Sequence, residues 1–339
     1  MKEPIIITCQ PDDDFFIWQN HLYIESCLES GFDESSIHIL LYNPPNRPIN
    51  LKWDKLLGFY PKLNIFRYSD DILGGVSKFL GLYIPLLRPH ILKQHFKRYP
   101  ELSKEVILYT DSDILWTKNL DIHKLFEDDI CYLSDAHGYM NNDYFNSKYN
   151  HILEDKKDQL RDRDFAKEIC ELSGITKDIF IANNRNIGGV QYVLKNIDFE
   201  FWEKVEKDCL YIRTHLLNVN KQFFKNENAG IQSWCSDLWA VIFNLWYRNY
   251  ETKIIREMDF AWSSDPISKL DKVGILHNAG VVSRKQGDIP VFFKGDYHLG
   301  RDPFKDPHLE FVYENEESKK LCNWFYVSKL IDLKNKYNL

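Results

Sequence analysis

The amino-acid sequence predicts an α/β protein organised on a central, mostly parallel sheet flanked by helices. Two observations carry that expectation. Apolar runs of strand length alternate with helical stretches through the first third of the chain. The runs are apolar throughout, as in strands covered on both faces, and do not alternate with polar residues. A third observation places a ligand. In such sheets ligands sit beyond the carboxyl ends of the strands, and an acidic pair, Asp111 and Asp113, falls just past one of them.

Taken in order, "PIIIT" (Pro4–Thr8) reads as a buried strand. Asp12, Asp13 and Asp14 suit a helix N-terminus, where carboxylates meet the positive end of the dipole, and Phe15, Trp18 and Leu22 give that helix an apolar face. "SIHILLY" (Ser36–Tyr42) and "LNIFRY" (Leu63–Tyr68) are the next strands, separated by the proline-marked loop "YNPPNRPIN". Ser77 to Arg98 reads as a helix interrupted or kinked at Pro85 and Pro89. "EVILY" (Glu105–Tyr109) is the fourth strand. Residues 136–180 are polar and charged and read as a solvated helix-loop insertion. "NRNIGGVQYVL" puts a glycine pair at the head of a strand, "IQSWCSDLWAVIFNLWY" is an apolar helix with one acid, Asp237, and "VGILHNAGVV" is strand-loop-strand with His277 at the bend. There are no internal repeats and no low-complexity tract.

Composition narrows the function. A hydrophobic fraction of 44% supplies a substantial core, and most of the aromatic residues are expected to fill it. The net charge of −7 disfavours polyanionic partners unless a local basic patch offsets the global field. Seven scattered cysteines with no Cys-x-x-Cys pair argue against a disulfide framework or a zinc ribbon and for a reducing compartment. No apolar run approaches a membrane span. A cytoplasmic or peripheral-membrane location is therefore expected.

Three readings of Asp111-Ser112-Asp113 stand on the residues alone. Two carboxylates one residue apart at a strand end reach a single divalent cation, and hard oxygen ligands suit Mg²⁺ or Mn²⁺. The first aspartate of such a pair serves as a phosphoryl nucleophile in one class of phosphatases, but Ile114 and Leu115 stand where that class has small residues. The pair also suits an acidic turn that satisfies its own backbone N–H groups.

Five stretches in order add to this: "IIITCQ", "SKFLGLYIPLLRPHIL", "VILYTDSDILWTKNLDIHKLF", "NRNIGGVQYVLKNIDFEFW" and "HNAG". With them the chain resembles GT-A fold glycosyltransferases, specifically the retaining family that includes glycogenin and bacterial lipopolysaccharide galactosyltransferases. The likeness runs from about Pro4 to Gly280. The family's C-terminal motif normally continues from the histidine to Lys-Pro-Trp; here Ser283 stands at the lysine spacing, with Arg284 and Lys285 just beyond. Of the family's Asp-Gln-Asp, only Asp237 matches, in Cys235-Ser236-Asp237.

The resemblance implies a GT-A fold, Rossmann-like and nucleotide-sugar-binding. It implies metal-dependent transfer of a hexose or pentose from a nucleotide sugar, most often a UDP-sugar, with retention. By the same resemblance Asp111, Asp113 and His277 bind Mn²⁺ or Mg²⁺. Thr8, Cys9, Gln10, Lys78, Tyr83, Arg88, Ser112, Gly188, Gly280 and Lys285 line the donor site with them, and Asp237 and Asn186 act on the sugar. The implied acceptor is a glycan, a protein hydroxyl or a hydroxylated DNA base. A catalytically silent nucleotide-sugar-binding relative and a metal-dependent phosphatase are the alternatives. We expect one catalytic domain over residues 1–310, with 136–180 on the acceptor side, and an amphipathic helical extension at 311–339. Two roles are open to that basic, aromatic C-terminal stretch: lying on an anionic membrane surface, or capping the domain.

Overall fold

A computed structural model of the chain describes residues 3–72, 83–117, 122–160, 163–226 and 228–339. The fold is mixed α/β. The strands of its main sheet are Ile5–Pro11 (β1), Ile37–Tyr42 (β2), Asn64–Tyr68 (β3), Ile107–Tyr109 (β4), Cys131–Asp135 (β6), Gly188–Leu194 (β7) and Thr252–Ile254 (β8). They lie in the order β3-β2-β1-β4-β7-β6-β8, with β1 and β2 parallel, β6 and β8 parallel, and β7 antiparallel to both of its neighbours. The four strands expected in the first third are present within two residues at each end, except that β1 continues to Pro11. The chain forms two compact units, one of residues 1–67, 110–124 and 256–339, the other of 68–109 and 125–255.

In the first unit, the helix Asp14–Glu29 (α1) follows β1. Of the three aspartates that open it, only Asp13 is the cap, its carboxylate accepting the Phe15 N–H. Asp14 lies in the first turn, and Asp12 is buried. A separate sheet is built from Ile114–Trp116 (β5), Phe260–Trp262 (β9) and Ile275–His277 (β10), in the order β5-β10-β9. Phe15, Trp18 and Leu22 of α1 join Leu115, Ala261 and Leu276 of this sheet in one core. The C-terminal stretch completes it. The last helix, Cys322–Tyr337, buries Cys322, Tyr326, Val327, Leu330 and Leu333 in the same cluster, and Lys329 and Lys336 of its outer face pair with Glu29 and Glu25 of α1. The apolar face of this helix is thus buried in the core of the first unit. Among the described residues no helix is long and apolar enough to cross a membrane.

In the second unit, β4, β7, β6 and β8 are accompanied by three main helices, Leu87–Arg98, Phe199–Phe223 and Ser236–Tyr247, which pack on one another. Phe96 and Trp202 meet at 6.1 Å between ring centroids. The expected helix at 77–98 begins, within the described residues, only at Leu87. Pro85 lies in a 3-10 turn (Ile84–Leu86) ahead of it, and Pro89 in the helix's own first turn, where a missing N–H costs no intrahelical bond. Pro85 thus lies in a break ahead of the described helix, and Pro89 does not kink it. The polar stretch at 136–180 carries the helices Asn142–Lys148 and Phe165–Leu172 and the start of Lys177–Ala182, with shorter helical turns between them. All seven cysteines are free thiols.

Leu330 is fully buried and Lys329 beside it faces outward. Leu330→Ala is expected to cost about 2–5 kcal/mol of stability in urea denaturation, and Lys329→Ala no more than about 1 kcal/mol. Equal, small effects would show that the last helix is not part of the core.

Candidate functional site

The acidic pair sits where β4 has ended and β5 has not yet begun, so Thr110 to Asp113 form the connecting turn. Two contacts fix this turn. The Tyr23 and Thr110 hydroxyls are hydrogen-bonded at 2.6 Å, and the Asn278 N–H donates to the Asp113 carbonyl at 2.8 Å. The second contact extends the antiparallel pairing of β5 with β10, in which Ile114 faces His277 and Leu115 faces Leu276. That register sets the imidazole beside the aspartates. His277 Nε2 lies 3.3 Å from Asp113 Oδ1 and 4.0 Å from Asp111 Oδ2. Trp262 of β9, paired with His277 in the sheet, stacks on the ring at 5.0 Å between centroids.

One ligand atom from each of Asp111, Asp113 and His277 lies within 4.8 Å of the others. Ligands about 2.0–2.2 Å from one ion stand roughly 3–4 Å apart, so the spacing fits a single divalent cation. Two carboxylate oxygens and an imidazole suit Mn²⁺ or Mg²⁺. The buried His277 Nδ1 has no hydrogen-bond partner among the described residues, and Nε2 is the nitrogen turned to the carboxylates.

Lys294 is part of this cluster. It lies in a turn at Lys294–Tyr297, and its ammonium pairs with Asp113 Oδ2. Burial by itself would push the Asp113 carboxyl up, but Lys294 and the His277 ring outweigh it and hold Asp113 well below the usual carboxylate range. Nothing in the sequence near "HNAG" points to Lys294, which is 17 residues past His277. The two basic residues closer to the motif are placed elsewhere in the unit. Arg284 pairs with Asp296 and Asp306. Lys285 is exposed on a two-residue strand, Lys285–Gln286, and makes no ion pair among the described residues. Gly280 follows the histidine with φ +89°, and a Cβ there would lie 2.8 Å from Ser264 Oγ, so the turn after the motif requires glycine.

The end of β1 holds Thr8, Cys9 and Gln10, all buried. The Thr8 hydroxyl donates to Gln10 Oε1 at 3.0 Å, and Gln10 Nε2 has no partner among the described residues. Asp12 next to them accepts the Asn50 N–H on one oxygen, and its other oxygen is buried without a partner among the described residues. Burial raises its carboxyl above the ordinary value despite that hydrogen bond. Asp12 is a site candidate that its two acidic neighbours disguised as a helix cap. Ser112, between the two aspartates, is buried.

The remaining sequence candidates belong to the second unit. Arg88, at the start of its helix, pairs with Asp237, which opens the helix Ser236–Tyr247 and is itself buried. Tyr83 is fully buried and its hydroxyl donates to the Trp234 carbonyl at 2.7 Å. Asn186 is half-buried in a turn before β7. Gly188 opens β7 opposite Asp135, and a Cβ there would meet Leu133 Cβ and Ser134 O at 2.5 Å. Close packing against β6 thus already requires a glycine. Two residues on, Val190 takes φ 73°, an unusual conformation for a β-branched residue, across from the register shift between Leu133 and Ser134. Lys78 lies outside the described residues.

No protein-family model and no curated protein matches the chain. Among solved structures it is similar to glycosyltransferases. One is the bifunctional glycosyltransferase WbbM in its apo form, at 11% identity and a TM-score of 0.45, covering 91% of this chain and 51% of that one. The chain therefore spans about half the length of WbbM. A second is apo mouse xyloside xylosyltransferase 1, at 9% identity and a TM-score of 0.38, over 83% of this chain and 99% of that one. A third is the galactosyltransferase LgtC in complex with donor and acceptor sugar analogs, at 10% identity and a TM-score of 0.42, over 98% of this chain and 95% of that one.

If the three side chains form one cation site, Asp113→Ala and His277→Ala each weaken Mn²⁺ binding by about tenfold or more in a titration followed by electron paramagnetic resonance. Wild-type affinity in His277→Ala would remove the imidazole from the ligand set.

Proposed function

We propose that the protein is a metal-dependent glycosyltransferase that moves a sugar from a nucleotide sugar to an acceptor hydroxyl, with retention at the anomeric carbon. The observation that carries this reading is the convergence of Asp111, Asp113 and His277 within 4.8 Å on the turn after a strand end. Two aspartates one residue apart, joined by a histidine from a distant strand, make a donor set for a cation that a diphosphate also grips. The acidic-turn reading accounts for the aspartates but not for the histidine or for Lys294.

In the reaction, the bond from the acceptor oxygen to the anomeric carbon forms as the bond from that carbon to the diphosphate breaks. The electron pair leaves with the nucleoside diphosphate, and the acceptor's hydroxyl proton passes to it. A bound Mn²⁺ or Mg²⁺ supplies Lewis-acid neutralisation of the charge growing on that leaving group. The chain's own residues complete the electrostatics. Lys294 provides a fixed positive charge beside Asp113, suited to a diphosphate oxygen. Asp12 and Gln10 offer a carboxylate oxygen and an amide N–H with no partner among the described residues, suited to the hydroxyls of a ribose or the edge of a base. By the sequence resemblance, Asp237 takes the hydroxyls of the transferred sugar and Arg88 adds positive charge in the donor site; their pairing orients the carboxylate.

A panel of UDP-sugars with Mn²⁺, read as UDP release, tests the reading, because donor hydrolysis requires no acceptor. At least one donor is expected to release UDP, and a chelator to stop it. Asp113→Ala should lower the rate by about 10²-fold or more. Normal metal-dependent turnover in Asp113→Ala overturns the assignment. Tight donor binding with no hydrolysis of any donor would instead favour a silent binding relative, and release of inorganic phosphate from simple esters a phosphatase.

A further inference from the structure

We infer that Trp234 is the binding platform for the acceptor, and that the acceptor is a carbohydrate presenting a pyranose ring. The inference rests on the proposed reading of Asp237 as a residue facing the transferred sugar. Trp234 belongs to "QSWCSD" and is 54% exposed, far more than most residues around it. It occupies the middle of a 3-10 turn, Ser233–Cys235, that runs directly into the helix bearing Asp237. Tyr83, which packs against the indole, also lies within electrostatic range of the Asp237 carboxylate; that carboxylate is buried and the indole faces solvent.

Exposure alone would make an ordinary surface tryptophan. This one is distinguished by how firmly it is held. The ring packs edge-on against Tyr83, at 5.5 Å and 85°, and the Tyr83 hydroxyl bonds to the Trp234 carbonyl. Behind Tyr83 the Arg213 guanidinium lies over the phenol ring at 4.6 Å and bonds the Ser233 hydroxyl. The Gln232 N–H is held by the Tyr144 hydroxyl at 2.8 Å, and the Ser236 hydroxyl donates back to the Ser233 carbonyl at 2.7 Å. The residues on either side of Trp234 are thus anchored, and buried or half-buried side chains hold one exposed ring in place. A surface fixed before binding costs its ligand little ordering entropy.

The chemistry of that surface selects the occupant. A pyranose has one face made of C–H groups and a perimeter of hydroxyls. The C–H face packs on an indole with loss of apolar hydration. The perimeter offers acceptors to the indole N–H, which has no hydrogen-bond partner among the described residues. A serine side chain in a peptide has no such apolar face, a hydroxyproline ring has one but only a single hydroxyl on its perimeter, and a nucleobase on a polyanion meets the chain's net charge of −7. Stacking at Trp234 would set the pyranose beside the sugar that Asp237 is proposed to face, with one of its ring hydroxyls as the acceptor.

The test uses the full-length protein with a donor that it hydrolyses and methyl glycosides of the common hexopyranoses as acceptor probes. The quantity read is the partition between transfer to the pyranoside and transfer to water. Trp234→Ala is expected to raise the KM for the pyranoside and lower the transfer-to-hydrolysis ratio by about tenfold, in keeping with the loss of one aromatic stacking contact. Trp234→Phe, which keeps a flat ring, recovers most of it. An unchanged ratio in Trp234→Ala overturns the proposal, as does a wild-type protein that hydrolyses the donor but glycosylates a hydroxyproline peptide and no pyranoside. A parallel fall in hydrolysis and transfer, at constant ratio, assigns Trp234 a structural role and also overturns it. Absence of any donor hydrolysis in the wild type is the separate failure, that of the glycosyltransferase reading itself.

Discussion

The pairing of β5 with β10 is the constraint on which the candidate metal centre depends. Both strands are three residues long, and they run antiparallel with His277 opposite Ile114. The period of a strand is two, so a slip of one residue would turn the imidazole to the opposite face, away from the aspartates. The register is held from three sides. Asn278 continues the ladder onto the Asp113 carbonyl, Thr117 continues it at the other end onto the Gly274 carbonyl, and β9 lies along β10 with Trp262 stacked on the histidine. Leu115 and Leu276, which face each other between these contacts, are buried in the core that α1 and the last helix share. The geometry of three polar ligands is thereby set by apolar packing directly beneath them.

Charge in both units follows one pattern, a carboxylate taken out of water and given a specific cationic partner. Asp113 has Lys294 and Asp237 has Arg88. Burying a carboxylate without such a partner is costly, and a cation placed to hold it stays close to any phosphate or sugar hydroxyl that the carboxylate serves. Asp12 differs. It is buried with one oxygen unpartnered among the described residues, and burial raises its carboxyl.

Features carried by consecutive residues are legible in the sequence. The first strands are continuous apolar runs bounded by loops, and they appear where the runs are. Asp111 and Asp113 stand out because a strand end and its turn are contiguous in sequence. His277 is visible only through the resemblance, since 164 residues separate it from Asp113 and no local pattern joins them. Lys294 is 181 residues from Asp113 and follows an unremarkable "VFF". Lys285, nearer the expected spacing, draws attention in its place and is exposed in the fold. Asp12 is hidden by composition, because three aspartates in a row look alike until one turns inward. Gly188 is legible as a residue with a purpose, but packing against β6 accounts for the glycine without any ligand. Pro89 misleads for a positional reason, as a proline breaks a helix only beyond its first turn.

The first unit is assembled from three separated pieces of chain, and its last piece ends with the helix Cys322–Tyr337. Glu25 near the start receives Lys336 and Tyr337 from near the finish, across 311 and 312 residues. On a ribosome, β1 and α1 therefore emerge long before the residues that cover them. The second unit, whose pieces end at residue 255, is complete well before the first. Phe15, Trp18 and Leu22 remain an open apolar face throughout that interval, the kind of surface that chaperones occupy and that aggregates when they do not. Asp113 meets His277 only late in the same interval, so the candidate metal centre is among the last features of the molecule to come into existence.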